Sequence, residues 1–246
     1  MKQIVFGIGT PRSGTCSLYE FFLKQYIADS NNVLRYKKLY VKHEASNVHT
    51  PCSYEVNLPS DYQVIVNNYL KMVEMNLEVQ YYGKKTNMKI QTYENNVYKY
   101  TEVPNFHINV GFNLLNYLEL FLKKNSSIKI IVIKRNREKN IKSIYNRFKF
   151  DNKSVNTDDN KEYNLFFQSY FNDLNDDNYE KIVGEFYDNF YNKLERVIDM
   201  YPDNFRCYKT EELFKSEKQQ SELLTFCGFK QYVYDINIHA NKFIQK

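Results

Sequence analysis

The chain has 246 residues, of which 43% are hydrophobic and 17% aromatic, enough to form a core and too many for a disordered chain. Its 34 Lys and Arg against 29 Asp and Glu leave a net charge of +5, which permits an anionic ligand but does not indicate a nucleic-acid surface. With 7 Gly, 5 Pro and 4 Cys, the composition excludes collagen-like, low-complexity and disulfide-scaffold proteins. No window approaches the roughly 20 apolar residues of a membrane span, so we expect a cytoplasmic protein whose cysteines are reduced.

The first thirty residues predict a strand, a glycine-containing loop and a helix. Residues 2–8 are a short β-branched and apolar run, typical of a buried parallel strand. The loop GTPRSG follows at residues 9–14, and residues 15–27 carry apolar side chains at helical spacing.

The rest of the chain continues to alternate between strands and helices. Further strands are predicted at residues 39–43, 128–133 and 205–208, and helices at 61–79, 113–124, 137–150, 163–173, 179–200 and 216–226. Residues 89–100 fit either short strands or a loop, and residues 151–161 are polar enough to predict a mobile loop. The alternation predicts an α/β fold with a mainly parallel central sheet flanked by helices, and the length is that of a single domain over residues 1–246.

The first loop is suited to binding an anion. Where a strand leads into a helix, the successive N–H groups of Ser13, Gly14, Thr15 and Cys16 can surround a negative charge, which the helix dipole also favours. Thr15 and Ser17 add hydroxyl groups. An ordinary turn in which a hydroxyl caps the helix is the alternative.

This loop departs from the Walker pattern G-x-x-x-x-G-K-[ST]. Thr15 stands where the lysine belongs, and the cation, Arg12, comes before Gly14 instead of after it. An ATPase or GTPase is therefore disfavoured. The segment TPRSGTCSL at residues 10–18 instead resembles the phosphosulfate-binding loop of sulfotransferases that use 3′-phosphoadenylyl sulfate, in the form that carries arginine.

A second segment, IVIKRNREKNIKSIYNRF at residues 131–148, strengthens this resemblance. Sulfotransferases hold the 3′-phosphate of the nucleotide with an arginine at the end of a buried strand and a serine eight residues later, and Arg135 and Ser143 match that spacing. Arg147 lies one helical turn beyond Ser143 and shares its face. A solvated basic helix over residues 137–149 is the alternative.

Bacterial and viral-type members of the family often carry a His-Glu pair after the second strand, and His43-Glu44 resembles it. The resemblance implies that Glu44, or as second choice His43, is the general base that takes the proton of the acceptor. Without the family context, either residue is more simply a surface or capping residue. The segment FRCYKTEELF at residues 205–214 resembles the closing strand with its E-x-L pattern, in which Tyr208 packs either near the nucleotide or in the core.

The resemblance implies a P-loop-like sulfotransferase fold and transfer of a sulfuryl group from 3′-phosphoadenylyl sulfate to a hydroxyl or amine, leaving adenosine 3′,5′-bisphosphate. It implies that Arg12 and the loop through Ser17 hold the phosphosulfate, that Arg135, Ser143 and Arg147 hold the 3′-phosphate, and that no metal takes part. The acceptor, whether small molecule, glycan or peptide, and the oligomeric state are not readable from the sequence. The alternatives are a P-loop-type nucleotide kinase and a nucleotide-binding module without catalysis.

Overall fold

A computed structural model describes most of the first thirty residues and most of the second half of the chain. The described residues are 3–30, 39–43, 63, 66, 67, 69, 70, 73, 77–79, 92–94, 97–99, 106–153, 171 and 174–229. The strands are β1 (Gln3–Ile8), β2 (Leu39–His43), β3 (Leu77–Val79), β4 (Thr92–Glu94), β5 (Val97–Lys99), β6 (Phe106–Val110), β7 (Lys129–Lys134) and β8 (Phe205–Lys209). The helices are α1 (Thr15–Ser30), α2 (Leu118–Lys124), α3 (Arg137–Lys153), α4 (Tyr179–Met200), α5 (Thr210–Leu213) and α6 (Glu217–Phe226), with 3₁₀ turns at Asn113–Tyr117 and Pro202–Asn204.

Five strands form a parallel sheet in the order β2-β6-β1-β7-β8. The first strand is therefore central, and the carboxyl ends of all five strands meet at one edge. Ligands of open α/β sheets bind outside that edge. The short strands β3, β5 and β4 pair separately as an antiparallel sheet.

Each face of the parallel sheet is covered by helices. Alternate residues of β1 point to opposite faces, so that Ile4, Phe6 and Ile8 join the core under α2, α3 and α4, while Val5 joins the core under α1, α5 and α6. Fully buried aromatic residues such as Phe6 and Phe121 pack edge to face or tilted in this interior. Burying one such side chain stabilises the fold by about 1.5–3 kcal/mol.

Most predicted elements are confirmed. The strands at β1, β2, β7 and β8 and the helices α1, α3, α4 and α6 lie where the patterns placed them, and Ser216 caps α6 by accepting the N–H of Gln219. Within residues 89–100, where short strands or a loop were open, the described residues 92–94 and 97–99 are strands.

Four predictions need correction or lie outside the described residues. The helix predicted at 61–79 does not include Leu77–Val79, which is a strand. The first three residues of the loop predicted at 151–161 belong to α3, which extends to Lys153. The first turn of the helix predicted at 113–124 is a 3₁₀ turn. Residues 154–161, and the predicted helix at 163–173 except for residue 171, lie outside the described residues.

The strand β6 was not predicted from the sequence. Its five residues FHINV include His107 and Asn109, both almost fully buried, and these polar side chains interrupt the apolar run that marks a central strand. Tyr69 is buried in the same part of the core. Burial raises its pKa, and the side chain of Asn109 opposes this effect.

None of the described helices combines the length and the apolar composition needed to cross a membrane.

Candidate functional site

The loop between β1 and α1 has the backbone of an anion-binding turn. Arg12 has a φ of 65° and Gly14 a φ of 110°, and a change of hand between neighbouring residues turns successive N–H groups toward one side. The N–H of Ser13 donates to the carbonyl of Thr10 at 3.0 Å. The helical hydrogen bonds of α1 begin with Leu18, which donates to Gly14 at 3.0 Å, so the first-turn N–H groups point out of its N-terminus.

Position 14 requires a glycine, both because its φ is positive and because Thr210 packs against it. A Cβ at this position would lie 2.6 Å from Cγ2 of Thr210, which is the first residue of α5. The hydroxyl of Thr210 donates to the carbonyl of Ser13, so Thr210 cannot rotate away without losing that hydrogen bond. The loop and the start of α5 are therefore in direct contact.

Replacing Gly14 with alanine is expected to destabilise the fold more than the same change at Gly228. Both glycines have a positive φ, but the nearest atom to a Cβ at Gly228 is Cε1 of Phe106 at 4.0 Å. The φ penalty is common to both variants, and only Gly14→Ala adds the overlap with Thr210, worth about 1–3 kcal/mol. Urea unfolding of the two variants measures the difference. Equal losses would show that the overlap relaxes at no cost.

A second loop, between β7 and α3, lies beside the first. The hydroxyl of Tyr191 donates to the carbonyl of Ile133 at 2.8 Å, and the hydroxyl of Tyr187 donates to the carbonyl of Arg135 at 2.7 Å. Both tyrosines come from α4 and are nearly buried, and burial raises the pKa of Tyr191 to about 12. They hold the end of β7 against α4.

The turn into α3 is held by two further polar groups. The side chain of Asn136 accepts the N–H of Lys139 at 3.1 Å, which caps the first turn of the helix. The N–H of Asn136 itself donates to the carboxylate of Glu211 at 3.2 Å. Glu211 follows Thr210 in α5, so α5 contacts both loops.

The two loops bring Arg12, Arg135 and Ser143 together. Nε of Arg12 lies 3.4 Å from the Oγ of Ser143, and Nη1 of Arg135 donates to the carbonyl of Arg12 at 3.0 Å. Burial lowers the pKa of Arg135; the charge of Glu211 opposes this effect, and the charge of Arg12 adds to it. The two guanidinium groups repel each other, and an anion bound between them is favoured because it offsets that repulsion.

A buried asparagine joins the first loop to α3. Asn140 is fully buried; its amide donates to the carbonyl of Pro11 at 3.1 Å, and its oxygen accepts the hydroxyl of Thr10 at 3.1 Å. Both polar groups of the side chain are used, which fixes the orientation of the amide. Because Asn140 and Ser143 lie on the same helix, the hydrogen bonds of Asn140 also fix the position of the loop relative to the hydroxyl of Ser143.

The other predicted residues of the two segments lie on α1 and α3. Thr15 and Ser17 are buried and Cys16 is half-buried in the first turn of α1, which begins at the carboxyl edge of the sheet. Arg147 is half-buried, one helical turn beyond Ser143. The role of these four residues in ligand binding stays a prediction.

Of the three remaining predicted residues, Tyr208 lies away from the arginines. Tyr208 packs against the core under α1, α5 and α6, on the face of the sheet opposite α3, and burial raises its pKa. The backbone of His43 ends β2. Glu44 lies outside the described residues.

Sequence analysis missed several residues that hold the two loops, namely Asn140, Tyr187, Tyr191, Thr210 and Glu211. Glu211 begins the E-x-L pattern that was compared with the family, and this was the one signal that pointed to α5. Asn140 interrupts the charged run of α3 with an uncharged side chain, but nothing in its neighbours indicates a contact 129 residues away. Within the described ranges no group of three or more His, Cys, Asp or Glu is arranged to hold a metal ion.

The chain is similar in fold to the crystal structure of a sulfotransferase from Alicyclobacillus acidocaldarius. The two chains are 14% identical, the match covers 98% of this chain and 87% of the other, and the TM-score is 0.50. No protein-family model matches the sequence, and no curated protein matches it. At this identity the likeness concerns the fold, and it confirms the predicted α/β class with a central parallel sheet and a P-loop-like, sulfotransferase-type arrangement.

Proposed function

We propose that this protein is a sulfotransferase that moves a sulfuryl group from 3′-phosphoadenylyl sulfate to a hydroxyl or amine by in-line displacement. The observation that carries the proposal is the meeting of Arg12, Arg135 and Ser143 at the carboxyl edge of the sheet. Two arginines from separate loops beside a helix N-terminus suit a ligand that carries two phosphate-type groups. The fold of the A. acidocaldarius sulfotransferase is compatible with this function.

In this proposal the chain contributes positioning and charge. Loop N–H groups and the hydroxyl of Thr15 hold the 5′-phosphosulfate, and Arg12 stabilises the negative charge that grows on the bridging oxygen as the S–O bond breaks. Arg135 and Ser143 hold the 3′-phosphate, with Arg147 as a further cation. Arg12 contacts Ser143, so the groups for the two ends of the ligand are adjacent.

The acceptor is activated by a base after β2. His43 pairs with Val110 of β6, and Val110 pairs with Gly7 of β1, so these three residues form one row across the sheet. Neighbouring strands lie about 4.8 Å apart, which puts His43 about 10 Å from Gly7, two residues before the first loop. Glu44 follows directly, and we assign it as the base that takes the proton of the acceptor, with His43 as the second choice.

Calorimetric titration tests the donor site. The wild-type chain is titrated with adenosine 3′,5′-bisphosphate, with AMP, and with ATP, each with and without Mg²⁺. We expect metal-independent binding in which the bisphosphate binds at least about tenfold more tightly than AMP, because a charge-assisted contact contributes about 1.5–3 kcal/mol.

Three results would contradict the proposal. Absence of bisphosphate binding would remove the 3′-phosphate site, and tighter, Mg²⁺-dependent binding of ATP would favour a P-loop-type kinase. A chain that binds the bisphosphate but neither transfers nor hydrolyses the sulfuryl group would be a nucleotide-binding module without catalysis.

A further inference from the structure

Three successive carbonyl groups of the first loop are each bound by a side chain from a different element. Pro11 accepts from Asn140 of α3 at 3.1 Å, Arg12 accepts from Arg135 after β7 at 3.0 Å, and Ser13 accepts from the hydroxyl of Thr210 in α5. The three donors are separated from the loop by more than a hundred residues each. The loop is therefore oriented by tertiary contacts and not by its own sequence alone.

These contacts fix the direction of the loop N–H groups. A trans peptide unit is planar, and its C=O and N–H point in opposite directions. Holding the carbonyl of Ser13 toward Thr210 therefore turns the N–H of Gly14 to the other side, next to the first turn of α1. A group that binds an anion through backbone amides works best when the amides already point at the anion, because no reorganisation is then needed.

Thr210 occupies a special place among the three donors. Arg135 is already assigned to the 3′-phosphate, and Asn140 is fully buried and also accepts from Thr10. Thr210 is half-buried, and its methyl group fills the space that a side chain at Gly14 would take. The hydroxyl of Thr210 therefore binds the loop, and its methyl group packs beside Gly14.

We propose that Thr210 is a positioning residue for the 5′-phosphosulfate, acting through the carbonyl of Ser13 and the N–H of Gly14. The proposal rests on the proposed function and extends it to a residue that touches neither phosphate. In this proposal the hydroxyl of Thr210 orients the loop, whereas its methyl group only packs. The loop in turn holds the 5′ end of the ligand, whereas Arg135 and Ser143 hold the 3′ end.

The test uses two variants that each keep one of these groups. Thr210→Val keeps the methyl group and loses the hydroxyl, whereas Thr210→Ser keeps the hydroxyl and loses the methyl group. Both are titrated with adenosine 3′,5′-bisphosphate, AMP and adenosine 3′-monophosphate. For Thr210→Val we expect about three- to tenfold weaker binding of the two ligands that carry a 5′-phosphate, the effect of one hydrogen bond, and unchanged binding of the 3′-monophosphate.

Thr210→Ser is expected to bind all three ligands as the wild type does. Equal weakening of all three ligands in Thr210→Val would show a merely structural role and overturn the proposal, as would unchanged binding of all three. If Thr210→Val does not fold, Thr210→Ala and Thr210→Ser give the same comparison of hydroxyl against no hydroxyl. A wild-type chain that binds no bisphosphate overturns the proposed function itself, and the positioning role with it.

Discussion

Replacing Arg12 with alanine is expected to lower the rate of sulfuryl transfer by roughly 10²–10³-fold while the protein stays folded. In the proposed reaction this side chain supplies positive charge where the leaving oxygen becomes negative, and loss of one such donor raises the barrier by about 2.7–4 kcal/mol. The free energy of unfolding should change little. The contact of Arg12 Nε with Ser143 is long at 3.4 Å, and alanine, which also has a Cβ, meets the same backbone cost at a φ of 65°.

A matched control separates this effect from a change in net charge. Arg196 is exposed on α4, so Arg196→Ala removes the same charge far from the two loops and should leave the rate unchanged. Arg12→Lys should give an intermediate rate, because lysine keeps the charge but loses the planar fork of donors. Initial rates with the sulfuryl donor, and circular dichroism on each variant, make the comparison. Near-normal turnover in folded Arg12→Ala would remove Arg12 from the reaction.

The elements were predictable where local pattern and tertiary role agree. The segments IVFGI in β1 and IIVI in β7 are buried throughout, and a short continuous apolar run of this kind is typical of a strand that is covered on both faces of a sheet. In β6 the two disagree, because His107 and Asn109 are buried polar groups inside a central strand. A polar side chain at every second position breaks the apolar run by which a buried strand is predicted.

The residues of the candidate site also divide into those that a local pattern predicts and those that depend on distant contacts. Arg135 and Ser143 were predictable because their relation is set within one strand, one turn and one helix. Arg12 was predictable as part of a loop between a strand and a helix. The contact between them was not, since Arg12 and Ser143 are 131 residues apart. Thr210 is 197 residues from Ser13, and an isolated threonine after a strand carries no local signal of such a partner.

Replacing Glu44 with glutamine tests the other half of the reaction. A general base contributes roughly 10²–10⁴-fold to the rate, so Glu44→Gln should lower turnover by about that factor. Glutamine keeps the size of the side chain and cannot take a proton. Binding of adenosine 3′,5′-bisphosphate should not change, because His43 ends β2 two strands away from β1, and the loop after β1 is the proposed donor site. Steady-state rates and calorimetry on one preparation give both quantities.

His43→Gln is the control that decides between the two neighbours. If Glu44 is the base, His43→Gln keeps most of the activity and Glu44→Gln loses it. If His43 is the base, the large loss moves to His43→Gln. Weaker bisphosphate binding as the sole effect of Glu44→Gln would instead place Glu44 with the donor. A donor-side role for Glu44 would leave His43 as the candidate base of this segment, and the rate of His43→Gln would then decide whether the segment supplies a base at all.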